Sequence, residues 1–166
     1  MSGNDGQRVI YWDACVYLAW LKGEDNGKLV NEGIEEAVEY NWSNKLLIVT
    51  STITFVEVLA AKLTADQETL FRKTFKTQRH SARDVDVAVA MKARDYRTAL
   101  LAASKNLATP DAIHLATASI YRAEEFWTMD DGGKSKKSIG LLDLNGDPRV
   151  DGLAIKKPYA QNPKLI

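Results

Sequence analysis

Four carboxylates stand where a charge needs a reason: Asp13, Glu57, Asp111 and Asp130. Asp13 directly follows the apolar run 9–12, "VIYW", and precedes the helical pattern "ACVYLAW". It suits a helix N-cap, and equally a ligand group at the carboxyl end of a strand, where open α/β sheets form their crevice. Glu57, in "ITFVEVLAAKL", has only apolar residues within three positions of it apart from Thr54. A carboxylate buried in such surroundings is costly unless it is paired or coordinates a cation. Asp111, in "NLATPDAIHLATA", follows Thr109 and Pro110, which read as N-cap and first helical position, so an acid there is also explained by the helix N-terminus alone. His114 lies one turn further on the same face and reads locally as a structural histidine. Asp130 ends "FWTMDD", with Asp131 beside it competing for whichever role the position has, turn or ligand. If the four acids meet, they repel, and a cation or raised pKa values must compensate. An all-oxygen donor set favours Mg²⁺ or Mn²⁺.

The elements that must position these groups follow from periodicity. Runs 9–12, 46–50 ("LLIVT") and 126–129 ("FWTM") are apolar without alternation, as expected of strands covered on both faces. Weaker strands are expected near 78–83 and 152–155. Helical spacing runs through 29–42, 53–63 and 85–103, and the polar stretches 23–28, 130–138 and 144–152 read as loops. Strands alternating with helices imply an α/β fold with a parallel sheet.

The 166 residues are expected to form one domain, spanning 1–166 with its core at about 9–155 and a tail at 156–166. Hydrophobic residues make up 45% and charged residues 27%, which argues against disorder. Lys+Arg and Asp+Glu are 22 each, so any basic surface for nucleic acid is local. Cys15 is the only cysteine, which excludes an internal disulfide and a Cys-based zinc site, and its apolar neighbours suggest a small buried hydrophobe. No signal-peptide core and no run of about 18 apolar residues is present, so a cytoplasmic protein without a membrane partner is expected.

Taken in order, "VIYWDACVYLAW", "LLIVTSTITFVEVLAAKL", "TPDAIHLATA" and "FWTMDD" resemble the PIN domains, and within them the VapC-like ribonuclease toxins of toxin–antitoxin pairs. The resemblance covers roughly 9–155. It implies a three-layer α/β/α sandwich around a parallel sheet of order 3-2-1-4-5. It also implies that Asp13, Asp111 and Asp130 hold metal, that Glu57 completes the catalytic set, and that Thr128 supports Asp130 in a "T-x-D" motif, with Asp131 an extra acid. The chain is longer than many such toxins around 139–166.

The implied activity is Mg²⁺- or Mn²⁺-dependent hydrolysis of single-stranded or looped RNA, with a metal-activated water as nucleophile. Basic residues in "FRKTFKTQRHSAR" and "GGKSKK" are candidate phosphate contacts, notably Arg79, Arg83, Lys134 and Lys136, although charge runs are usually just solvated faces. A cognate antitoxin and a homodimer are the implied protein partners, with Trp20 and Leu21 as candidate groove or interface residues or as core. The alternative is a PIN-like scaffold that binds RNA or protein without cleaving. A Rossmann-type nucleotide site would need a G-x-G-x-x-G after the first strand, and an aspartyl-phosphate phosphatase a second aspartate where Cys15 stands.

Overall fold

The computed structural model describes residues 7–77, 79–132 and 139–164. Five parallel strands form one sheet in the order β3-β2-β1-β4-β5: β1 Arg8–Trp12, β2 Leu46–Ser51, β3 His80–Arg83, β4 Glu125–Trp127 and β5 Ile155–Lys156. The helices are α1 Ala14–Lys22, α2 Lys28–Trp42, α3 Ile53–Glu57, α4 Ala65–Thr74, α5 Val87–Ala102 and α6 Thr109–Ile120. This is the expected sandwich and strand order.

Successive strand residues point to opposite faces, and each face is apolar. Tyr11, Val49 and Phe126 pack with Leu100, Leu107 and Leu115 under α5 and α6. Ile10, Trp12, Ile48 and Trp127 pack with Tyr17, Ile34 and Phe71 under α1, α2 and α4. Both strand tryptophans are therefore core. The chain leaving β1 turns into α1 on the second face, whereas the chain leaving the adjacent β4 delivers Leu141 and Leu144 to the first. Neighbouring strands whose exits diverge in this way open a crevice at their carboxyl ends.

Three expectations are corrected. The helix expected over 53–63 stops at Glu57: Val58 leaves helical geometry and buries its side chain, and a 3₁₀ turn follows at Ala60–Lys62. Phe55, Val56 and Leu59 face solvent, so the apolar residues of this stretch do not share one buried stripe. The stretch 144–152, expected as loop, ends one 3₁₀ turn, Leu141–Leu144, and contains another, Pro148–Val150, with Leu144 and Val150 in the core. The last strand lies at Ile155–Lys156 rather than within 152–155. Beyond it the tail crosses back to α2. Tyr159 Oη donates to Glu125 at 2.7 Å, and the amides of Gln161 and Asn162 donate to Glu36 at 2.8 and 2.9 Å. Gly33 of α2 admits this crossing, since a Cβ there would lie 2.4 Å from the Tyr159 backbone.

Candidate metal and active site

Asp13 is both things its sequence position suggested. It N-caps α1 through Oδ1, which accepts from the Val16 amide at 3.2 Å and from the Cys15 thiol at 2.7 Å. Its backbone amide bonds to the Trp127 carbonyl, tying it to the end of β4. The carboxyl is buried, and burial pushes its pKa up against the lowering influence of His114, Cys15 and Thr128.

Across the crevice, Thr128 is fully buried, and its Oγ1 accepts the Asp130 amide at 3.0 Å, a local turn that accounts for the two-residue spacing. Asp130 itself turns inward: Oδ1 accepts from the Gly132 amide at 3.1 Å and Oδ2 from the Leu141 amide at 3.0 Å. Asp131 points the other way, three-quarters exposed, with Lys157 3.9 Å from its carboxylate. Gly132 holds φ +90°, and Gly140 presses against it so closely that a Cβ on Gly140 would fall 2.2 Å from the Gly132 nitrogen.

Asp111 sits in the first turn of α6, but the helix begins at Thr109 and Ala108 is the cap, so the expected Thr109 side-chain cap is not made. Its pKa is pushed up to about 6, first by burial, then by the negative charge of Asp130, with Asp13 and Glu57 adding and His114 opposing. Asp111 is thus within electrostatic reach of the other three acids. Glu57 is not the enclosed charge its apolar neighbours suggested. Its side chain is 30% exposed, and it accepts a hydrogen bond from His114 Nε2 at 2.6 Å. Among the described residues no Lys or Arg pairs with Asp13, Glu57, Asp111 or Asp130.

Three contributors were read in the sequence as structural or passed over. Cys15 is no mere hydrophobe: its sulfur donates to Asp13, accepts from the Met129 amide at 3.2 Å and lies 3.5 Å from Thr128 Oγ1, knitting the ends of β1 and β4 together. Burial and the adjacent Asp13 push its thiol up, so it stays protonated. His114 and Tyr11 are the others. A helical His in "IHLATAS" and a Tyr mid-strand carry no local signal that they will touch.

The nominated basic residues lie elsewhere. Arg79 precedes β3, at the amino end of the sheet, with its guanidinium 5.2 Å from the Trp42 ring centre. Arg83 ends β3 at the carboxyl end of the sheet, but its guanidinium sits 4.7 Å from the ring centre of Tyr121, which lies ten residues, about 15 Å, along α6 from Asp111. Lys134 and Lys136 lie outside the described residues. Leu21 is buried in the core, while Trp20 lines a groove with Trp42 and Leu70.

The donor set suits a hard divalent cation: oxygen only, mutually repelling and without a basic counter-charge among the described residues. It is open, however. Among those residues no three His, Cys, Asp or Glu side chains close on a common point; Asp130 is held by two amides and Glu57 by His114.

Residues 10–137 match the PIN domain family. The chain belongs to that family. PIN domains are generally nucleases. The fold is shared with chains in a toxin–antitoxin complex from Klebsiella pneumoniae (22% identity, TM-score 0.57, covering 90% of this chain and 98% of the other). It is shared too with VapBC2 from Rickettsia felis bound to a DNA fragment from its promoter (13%, TM-score 0.61, 90% and 98%). A third is FitAcB from Neisseria gonorrhoeae (17%, TM-score 0.57, 90% and 97%). No curated protein matches in sequence. No helix among the described residues of this PIN domain is long and apolar enough to cross a membrane.

The electrostatics give a stability prediction. Asp111 ionises at about 6 when folded and at 3.8 ordinarily, so its contribution is fully present below about pH 4 and lost as pH rises through 6. His80, held neutral down to about 3 by burial, works the other way over pH 3 to 6.5. The site is therefore read as a difference. Without metal, Asp111→Asn should melt with the wild type near pH 4 and above it at pH 7, where it should be more stable by an amount of order 2 kcal/mol. Mg²⁺ or Mn²⁺ should cancel that advantage. Equal melting temperatures at both pH values would show that the acids do not strain one another.

Proposed function

We propose that this PIN domain is a metal-dependent endoribonuclease acting on single-stranded or looped RNA, and the toxin of a toxin–antitoxin pair. The observation that carries the reading is Asp111, which feels the charges of Asp13 and Asp130, at the carboxyl ends of β1 and β4, and of Glu57 at the end of α3, none of the four paired with a Lys or Arg among the described residues. Asp13, Asp111 and Asp130 would hold Mg²⁺ or Mn²⁺. A bound divalent ion polarises the phosphodiester, lowers the pKa of a water and balances charge on the leaving oxygen. Glu57 Oε2 is taken by His114, so Oε1 would be the oxygen that accepts a proton. Cys15 and Thr128 keep the two strand ends in register. Lys134 and Lys136, four and six positions after Asp130 in the sequence, are proposed to hold RNA phosphates; Arg79 and Arg83 would meet only a strand that extends beyond the crevice.

For the partner, the exposed Phe55 and Leu59 line a groove of about 510 Å³ with Phe71, Phe75 and Val58, the residue after Glu57. An antitoxin segment with an apolar face would fill it and present an Arg or Lys to the acids; a homodimer is the other expected assembly. The likeness in fold to chains from toxin–antitoxin complexes supports this reading. The open arrangement of the acids favours one second reading, a scaffold that binds without cleaving.

One experiment separates them. The purified chain should cut single-stranded RNA with Mg²⁺ or Mn²⁺, stop in EDTA and be silenced by the product of an adjacent antitoxin-like reading frame. RNA bound but left intact in every metal condition would establish the scaffold instead. Cleavage untouched by that product would remove the toxin reading alone.

A further inference from the structure

We propose that Tyr11 and His114 form a buried hydrogen-bonded relay that fixes the position and the free oxygen of Glu57, with His114 as a positioning residue. His114 is 2% exposed and bonded at both ring nitrogens: Nδ1 lies 2.6 Å from Tyr11 Oη and Nε2 lies 2.6 Å from Glu57 Oε2. A structural histidine needs partners, but it does not need one of them to be a carboxylate at a crevice.

Glu57 needs the tie. It is the last residue of a five-residue helix, after which Val58 leaves helical geometry. A single turn of helix with Val56 exposed on it is marginal by itself and cannot fix a side chain. Tyr11, by contrast, belongs to the central strand, hydrogen-bonded on both sides, with no exposed surface and its ring stacked 4.9 Å from that of Phe126. The relay therefore carries the rigidity of the sheet centre through α6 to the end of α3.

It also has a direction. An ionised carboxylate only accepts, so Nε2 carries the proton; a neutral ring then presents Nδ1 as a bare acceptor, and Tyr11 O–H donates to it. One tautomer satisfies all three groups, and it leaves Glu57 Oε1 outside the relay.

The catalytic consequence rests on the nuclease reading, whereas the tautomer does not, so the test has two arms. In ¹⁵N NMR of the full chain, His114 should show a protonated Nε2 and a bare Nδ1. Tyr11→Phe should leave Nε2 protonated by its bond to Glu57 and shift the Nδ1 resonance, which loses its donor. A protonated Nδ1 in the wild type, or an unchanged Nδ1 resonance in Tyr11→Phe, overturns the relay.

In the kinetic arm, His114→Leu should lower kcat about 10- to 100-fold, the range for losing a hydrogen bond to a charged group, with KM for RNA unchanged. His114→Gln, whose amide N–H₂ reaches the place of Nε2, should recover most of it. Equal activities for His114→Leu and His114→Gln would overturn the positioning role, because a purely structural histidine is not rescued by a donor. If the wild type cleaves no RNA, the nuclease reading falls and the NMR result alone decides the relay.

Discussion

Asp13→Asn is expected to lower metal-dependent RNA cleavage by about 10²- to 10³-fold, the scale for removing one preorganised charged group, while raising the melting temperature of the metal-free protein. The two effects have one cause. Asparagine keeps a side-chain oxygen for the Val16 amide and the Cys15 thiol, and it caps helices as well as aspartate does, so α1 loses nothing. What disappears is a buried negative charge close enough to Asp111 to raise its pKa. The folded pKa of Asp13 is raised by burial, so its ionisation weakens the fold as pH rises above the ordinary 3.8. The gain in Tm should therefore be present at pH 7 and absent near pH 3, and each 1 kcal/mol amounts to about 2 to 4 °C in a chain of this size. Cleavage by Asp13→Asn at the wild-type rate would remove the crevice as the active site. A melting temperature lowered at pH 7 would mean that the carboxylate contributes to the fold beyond its cap.

The fold was legible because its signals are local and strong. Three doubly covered strands read as unbroken apolar runs, and their helices as periodic ones. The acids were legible too, although each had a competing explanation: Asp13 is a cap, and Asp111 stands in a helix's first turn. Only their meeting across β1, α3, α6 and the end of β4 distinguishes a site from four unrelated acids, and that is a property of topology. Glu57 was singled out for an apolar neighbourhood that turns out to be solvent-facing, and its actual partner, His114, stands 57 positions away. Cys15 looked like packing because a thiol in an apolar stretch usually is. Arg79 and Arg83 looked like a basic patch because charge in a sequence says nothing of which end of a strand, or which ring, a guanidinium will reach.

Asp130→Asn and Asp131→Asn should differ sharply, although the two acids are adjacent. Asp130 accepts a backbone amide at each oxygen, from Gly132 and from Leu141. Asparagine can accept at only one of these places, and at the other it sets N–H₂ against an N–H. The turn should therefore lose about 1 to 3 kcal/mol, the cost of an unsatisfied polar contact. The site loses a ligand oxygen at the same time, so Mn²⁺ affinity and cleavage should both fall, measured at a temperature where the variant is fully folded. Asp131→Asn removes an exposed carboxylate whose charge partner, Lys157, is 3.9 Å away, and it should change stability by no more than about 0.5 kcal/mol, with cleavage close to wild type. The contrast rests on chain geometry: the Thr128 hydroxyl holds the Asp130 amide and turns that side chain inward, which sends the next one out. If Asp131→Asn proves the damaging change and Asp130→Asn the mild one, the ligand is Asp131, and the bonds from Gly132 and Leu141 serve the turn alone.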